Sequence, residues 1–212
     1  WCERSAMHSE STELLESLLQ ELWKTLPGSV KAYADARWPR GTHRGLPWPE
    51  SQVMVIPSLR LMYVPIAKNG CSTFKRLMLK LAGYPDGATV SAHVHECLDF
   101  YETGLQLKDW PRPDVARFMC EPGWLRFTVM RDPLERLASA YLEKFVRNRM
   151  APGNRIHTRA VVGAVQGVNE PDFRRGITFR EFTRYVAATP PGRLDPHWRP
   201  QALCLPSRCE GL

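Results

Sequence analysis

One arrangement, present twice, constrains this chain more than any other: an apolar run, a polar turn, then an apolar stripe at helical spacing. In the first copy, Leu61-Met62-Tyr63-Val64 breaks at Pro65 and passes through Lys68-Asn69-Gly70-Cys71-Ser72-Thr73. Phe74, Leu77, Met78 and Leu81 then fall at i, i+3, i+4 and i+7. In the second, Leu125 to Met130 ends on Arg131-Asp132-Pro133, and Leu134, Leu137, Ala138, Tyr141, Leu142 and Phe145 trace one helical face. Short apolar runs followed by a 3.6-residue period read as strand then helix, and Pro133 suits a first helical turn, where no N–H is needed. Parallel strands need long crossovers that cover the sheet faces. The pattern therefore predicts an α/β fold, a single domain with a mostly parallel sheet flanked by helices. Ligands of such sheets bind beyond the carboxyl ends of the strands, so both turns should open on one edge.

The rest of the chain is less regular. Leu14, Leu15, Leu18, Leu19 and Leu22 predict an amphipathic helix ending near Pro27-Gly28, and Arg37 to Pro57 reads as an irregular connection. Residues 1–55 are thus expected to be a helical arm with an irregular linker, and residues 56–212 the domain proper. The segment from His93 to Phe100 reads as a short strand or turn, Met150 to Gly176 as a long surface loop, and Thr178 to Ala188 as a further helix. The tail from Pro190 is expected to be irregular. No apolar run approaches the roughly 18 residues of a membrane span, and no signal-peptide pattern precedes the first helix. A chain that opens on Trp1 is expected to be a fragment or a processed form.

Charge narrows the partners. Lys+Arg 29 against Asp+Glu 22 gives a net charge of +7, which suits an anionic ligand. The arginines are spread out, without a groove-reading or base-stacking motif, so no nucleic acid partner is expected. The cysteines at positions 2, 71, 97, 120, 204 and 209 form no dense framework. Cys204 and Cys209 could close a small loop or supply half of a zinc site, but no second pair completes one, and no metal is expected.

Both turns carry the means to hold an anion. A helix N-terminus supplies N–H donors and partial positive charge. Gly70 permits close backbone approach, Ser72 and Thr73 add hydroxyls, and Lys68 adds a full charge. The common nucleotide loop places its lysine after the last glycine, whereas Lys68 precedes Gly70. The same residues would also serve as a helix capped by Ser72 or Asn69 beside a surface lysine. Arg131, at the second strand end, offers a planar fork for a phosphate, and Ser139 lies on the helix that follows. Two such units on one edge imply a ligand with two separated anionic groups.

These residues carry a resemblance. Val64-Pro65-Ile66-Ala67-Lys68-Asn69-Gly70-Cys71-Ser72-Thr73-Phe74-Lys75-Arg76 resembles the 5′-phosphosulfate loop of the Golgi-type carbohydrate sulfotransferases, and Val129 to Tyr141 resembles their 3′-phosphate motif. Asp195-Pro196-His197-Trp198-Arg199-Pro200-Gln201, with Leu203-Cys204, is similar to a third block of that family. The resemblance implies a P-loop-like sulfotransferase fold and 3′-phosphoadenosine 5′-phosphosulfate as donor, leaving 3′,5′-ADP as product. It implies that Lys68, Asn69, Gly70, Cys71, Ser72 and Thr73 hold the 5′ end and that Arg131 and Ser139 hold the 3′-phosphate. Arg136 matches an arginine of the motif but would equally serve as a structural partner. His197, Trp198 and Arg199 are expected to line the nucleotide or acceptor side.

Sulfuryl transfer is expected to depend on positioning and electrostatics, with Lys68 stabilising charge on the leaving oxygen. A sugar hydroxyl needs a base, and histidine suits neutral pH. His93 and His95 would share a side of an extended segment. The run from His93 to Phe100 resembles the His-x-His block of the uronic-acid 2-O-sulfotransferases, which implies Lys68, His93 and His95 as the catalytic set, with Glu96 the alternative base. The expected activity is sulfuryl transfer to a carbohydrate hydroxyl, the basic stretch from Arg147 to Arg159 favouring an anionic poly- or oligosaccharide. The alternatives are a P-loop-like nucleotide-dependent kinase and a non-catalytic anion- or nucleotide-binding module. A soluble, microbial-type cytoplasmic protein is the preferred setting, with the Golgi lumen and an anchor outside this sequence as the alternative.

Overall fold

The computed structural model describes residues 46, 48–84, 94, 95, 98 and 103–206. The expected helix at positions 14–22 lies outside the described residues, as do His93, Glu96, Cys97 and Cys209. Strands β1 (Met54–Ile56), β2 (Leu61–Val64) and β3 (Leu125–Thr128) form a sheet in that order. β2 lies antiparallel to β1, with Val55 opposite Met62, and parallel to β3, with Tyr63 opposite Phe127. The sheet is therefore mixed rather than mostly parallel. The expectation failed because β1, inside the stretch read as irregular, is a three-residue strand with every residue buried, too short to show a period.

Alternation along the strands sends side chains to two cores. Val53, Val55, Met62 and Val64 pack with Leu107, Val115, Phe118, Met119 and Trp124, largely from helix α2 (Arg112–Cys120). Met54, Ile56 and Tyr63 face the other way, onto Met78 and Leu79 of helix α1 (Cys71–Leu81) and onto Val94, Leu98 and Leu105. With both faces covered, β2 is almost wholly buried, as its unbroken apolar sequence requires.

A third core holds the C-terminal half together. Helix α3 (Pro133–Tyr141) continues into a π-helical segment, Leu142–Arg147, followed by α4 (Arg155–Gln166) and α5 (Phe179–Ala188). Ala140, Phe145, Val161, Val162, Phe182, Leu194 and Trp198 form its centre, with the Phe145 and Phe182 rings 4.9 Å apart. α4 lies inside the stretch expected to be a surface loop. Gly163 obscured it in the sequence, yet Thr158, Val161 and Val162 are buried at i, i+3 and i+4. Gly163 is there for space, since a Cβ would sit 2.9 Å from the Val168 carbonyl oxygen. The segment read as a strand or turn is also different, because Val94, His95 and Leu98 are helical. The reason for placing His93 and His95 on one side, an extended backbone, does not hold at His95.

Candidate functional site

The first turn leaves β2 through Pro65 and reaches α1 in two left-handed residues, Lys68 at φ 70° and Gly70 at φ 74°. Glycine takes that conformation freely, whereas for Lys68 it costs about 1 kcal/mol or more. Gly70 is the N-cap of α1, and no side chain caps this end. Neither Ser72 nor Asn69 does so, and the partial positive charge of the helix start is left for a ligand. Thr73 is exposed and its hydroxyl has no partner among the described residues.

The second turn is built differently. Asp132 caps α3, its Oδ1 accepting from the N–H of Leu134 at 2.9 Å and of Glu135 at 3.0 Å. A carboxylate already fills that helix start, so the group this turn offers to an anion is the Arg131 side chain. It is 39% exposed, donates from Nε to Glu135 at 3.3 Å, and reaches the Lys68 carbonyl oxygen at 3.4 Å. The two turns are thus neighbours. Ser139, on the second turn of α3, is half-buried, its hydroxyl unpartnered among the described residues.

The third block ties the turns together. The Gln201 side-chain oxygen accepts from the Asn69 amide at 2.5 Å and from the Arg131 N–H at 3.1 Å, and its amide donates to the Arg131 carbonyl at 2.8 Å. The Asn69 amide also donates to the Val129 carbonyl at 2.7 Å, so this side chain joins the turns. Arg136, 4% exposed, donates to three carbonyls: Ala67 at 2.9 Å, Arg199 at 2.7 Å and Pro196 at 2.7 Å. Burial lowers its pKa, partly offset by Cys204 and Asp195. Of the two roles open to Arg136, the structural one is seen.

Lys68 does not stand free. Its ammonium is held by Glu143, which the π-helical segment turns toward the loop, and Lys144 flanks the same carboxylate at 3.6 Å. Burial tends to raise the Glu143 pKa, but the Lys68 hydrogen bond and the charges of Lys68 and Lys144 hold it below the usual carboxylate range. Sequence reasoning missed Glu143, since a π-helical turn has no period to announce it. His95 sits behind the first turn, with Nε2 at 2.8 Å from Ser72 Oγ and Nδ1 at 3.1 Å from the Lys75 ammonium.

Beside Glu143 lies a second cluster. The Asp195 carboxylate receives His157 Nδ1 at 2.8 Å on one oxygen and His197 Nδ1 at 2.6 Å on the other. Burial would raise the Asp195 pKa, but the two histidine hydrogen bonds hold it well below its ordinary value. Burial pushes His197 down to about 4, partly offset by Asp195. These three side chains place ligand-type atoms within 4.8 Å of one another, a set whose chemistry could hold a divalent metal. The Lys144 ammonium acts on both Asp195 and His197 and opposes a dication there. A separate open groove of about 900 Å³ runs along α4, lined by Arg155, Ile156, Arg159 and Ala160, and contains none of the turn residues.

The donor set fits a bis-anionic nucleotide at its core: an uncapped helix start, two hydroxyls and an exposed guanidinium adjoin one another. Lys68 would have to exchange Glu143 for the ligand. Among the described residues, no helix is long and apolar enough to cross a membrane. Residues 51–211 match the model of the sulfotransferase family. Carbohydrate sulfotransferase 14 of Homo sapiens is 34% identical over 158 residues, which cover 73% of this chain and 39% of that protein. Carbohydrate sulfotransferase 14 of Danio rerio is 26% identical over 162 residues, covering 74% and 42%. Carbohydrate sulfotransferase 11 of Rattus norvegicus is 27% identical over 156 residues, covering 69% and 43%. The chain spans about two fifths of the length of these curated relatives. No solved structure matches it.

Proposed function

The chain belongs to the sulfotransferase family, and we propose on that premise that it moves a sulfuryl group from 3′-phosphoadenosine 5′-phosphosulfate to a hydroxyl of a carbohydrate. The observation that carries this reading is the contact between the turns, where Arg131 reaches the Lys68 carbonyl and Gln201 spans both. Two anion-binding sites this close suit the two charged ends of one nucleotide. The uncapped start of α1, with Gly70, Cys71, Ser72, Thr73 and Lys68, takes the 5′ end. Arg131 and Ser139 take the 3′-phosphate.

When bound, the donor supplies an activated sulfuryl group, and the protein contributes position and charge. The α1 N-terminus and Lys68 face the oxygen on which negative charge builds, where a well-placed donor is worth on the order of a few kcal/mol. Lys68 exchanges Glu143 for that oxygen, so the pair keeps the loop set before the nucleotide arrives. His95 braces Ser72 from behind and holds its hydroxyl in register with the helix start. The acceptor is a carbohydrate, an acidic chain being favoured by the basic residues Arg147, Arg149, Arg155 and Arg159. The relatives named are vertebrate proteins, which supports the Golgi-lumen setting and lends nothing to the microbial cytoplasmic one.

The test is transfer of radiolabelled sulfur from the donor to a panel of unsulfated acidic polysaccharides, with calorimetry of 3′,5′-ADP against ATP–magnesium. Label on a polysaccharide and preference for 3′,5′-ADP are expected. Preference for ATP, or indifference to the 3′-phosphate, would overturn the reading.

A further inference from the structure

We propose that His197 is the residue that takes the proton from the acceptor hydroxyl, through its Nε2 atom, and that Asp195 is its positioning residue. The proposal rests on the sulfotransferase reading above and names a base for it.

The tautomers separate His95 from His197. His95 Nδ1 lies 3.1 Å from the Lys75 ammonium, which has only hydrogens to offer, so this nitrogen accepts. Its Nε2 must then carry the proton and donate to Ser72 Oγ at 2.8 Å. Bonded in this way, His95 has no lone pair left for a substrate proton. His197 is arranged in the opposite sense. Asp195 is ionised and can only accept, so His197 Nδ1 carries the hydrogen of their 2.6 Å bond and Nε2 carries the lone pair. The His197 backbone N–H also donates to the same carboxylate oxygen at 2.9 Å, which fixes the ring relative to its own turn. No hydrogen bond to His197 Nε2 is made among the described residues.

Location supports the same assignment. Arg136 fastens the carbonyls of Pro196 and Arg199 to the Ala67 carbonyl, so the His197 turn is bound to the turn that carries Lys68. His197 lies close enough to Glu143, the partner of Lys68, to act on its charge. The groups that face the imidazole are Asp195 on its own turn, His157 from α4, and Glu143 and Lys144 from the π-helical segment. In the step, the acceptor oxygen bonds to sulfur and its proton passes to Nε2. The sulfur's bond to the nucleotide's phosphate oxygen breaks, and the electron pair stays on that oxygen. Asp195 stabilises the imidazolium so formed, as the carboxylate does in acid–histidine pairs.

The experiment uses the full chain, radiolabelled donor and the polysaccharide panel, with 3′,5′-ADP binding measured in parallel. His197→Ala is expected to lower kcat about 100-fold or more and to leave 3′,5′-ADP affinity within about twofold. Added imidazole is expected to restore part of the lost turnover, a response that a structural role would not give. Asp195→Asn, which keeps shape and an acceptor oxygen, is expected to lower kcat about 10-fold or more with KM unchanged, and it stands in should His197→Ala fail to fold. Turnover of His197→Ala near the wild-type value, parallel loss of kcat and nucleotide affinity, no response to imidazole, or abolition of wild-type activity by a chelator would each overturn the proposal. If the wild-type chain transfers no label, the sulfotransferase reading fails and this proposal with it. Transfer that survives loss of His197 overturns this proposal alone.

Discussion

Lys68, held in a left-handed backbone conformation, gives its ammonium to Glu143 and its carbonyl oxygen to Arg131. One residue therefore joins the charge of the first turn to the guanidinium of the second, and a carboxylate stands where a nucleotide phosphate would compete. Glu143→Gln removes that competitor. The pair is partly exposed, 13% and 37%, and exposed ion pairs are worth up to about 1 kcal/mol. Calorimetry should find 3′,5′-ADP bound about two- to fivefold more tightly by the variant, the gain shrinking with salt. Unchanged or weaker binding would remove Lys68 from the phosphate site.

Arg131→Ala should cost about 10- to 100-fold in 3′,5′-ADP affinity, the scale of a charge-assisted bidentate contact, and little in binding of 5′-AMP. Thermal unfolding should barely move, because the side chain's own partners are the exposed Glu135 and one long bond to a carbonyl. Arg131→Lys should rescue only partly, since an ammonium lacks the fork. Equal loss of both nucleotides would separate Arg131 from the 3′-phosphate.

Arg136 should behave in the reverse way. Its three carbonyl partners are part-buried, and removing the guanidinium leaves them unsatisfied. Arg136→Met should destabilise by about 3–5 kcal/mol in urea titrations, enough to threaten folding. Retention of wild-type stability would show that the three blocks hold together without it.

Acid should destabilise the chain over two pH ranges. His197, pushed down to about 4, stays neutral in the fold while the unfolded chain takes up its proton near pH 6.5. Between those values the unfolded state binds more protons, so stability falls as pH falls, by at most about 1.4 kcal/mol per unit. The depressed Asp195 carboxyl adds stability above its unfolded pKa of about 3.9, lost as pH drops through the folded value. Urea midpoints at pH 7 and pH 5 test the first range: wild type should lose stability between them, and His197→Gln should lose less.

What the sequence revealed, and what it hid, follows from periodicity. Strand β2, the turn at Lys68 and helix α1 were legible because an apolar run and a 3.6-residue stripe meet at Gly70, and β3 with α3 were legible for the same reason. β1 has no room for a period, and α4 was concealed by a glycine needed for close packing. The clustering of Lys68 with Arg131 was readable from the rule that parallel strand ends share an edge. The roles of the groups that organise the site were not, although Asp195 and Gln201 stand in the third block. Glu143 arrives through a π-helical turn, and Gln201 and Asp195 lie in a proline-rich tail whose place is set by Arg136 bonds to distant carbonyls. Tertiary hydrogen bonds of that kind leave no local pattern.

Because a single carboxamide, that of Gln201, grips both Asn69 and Arg131, the gap between the turns is a gauge machined in advance. Such a chain would measure its nucleotide like a caliper, accepting a ligand by the distance between its two ends.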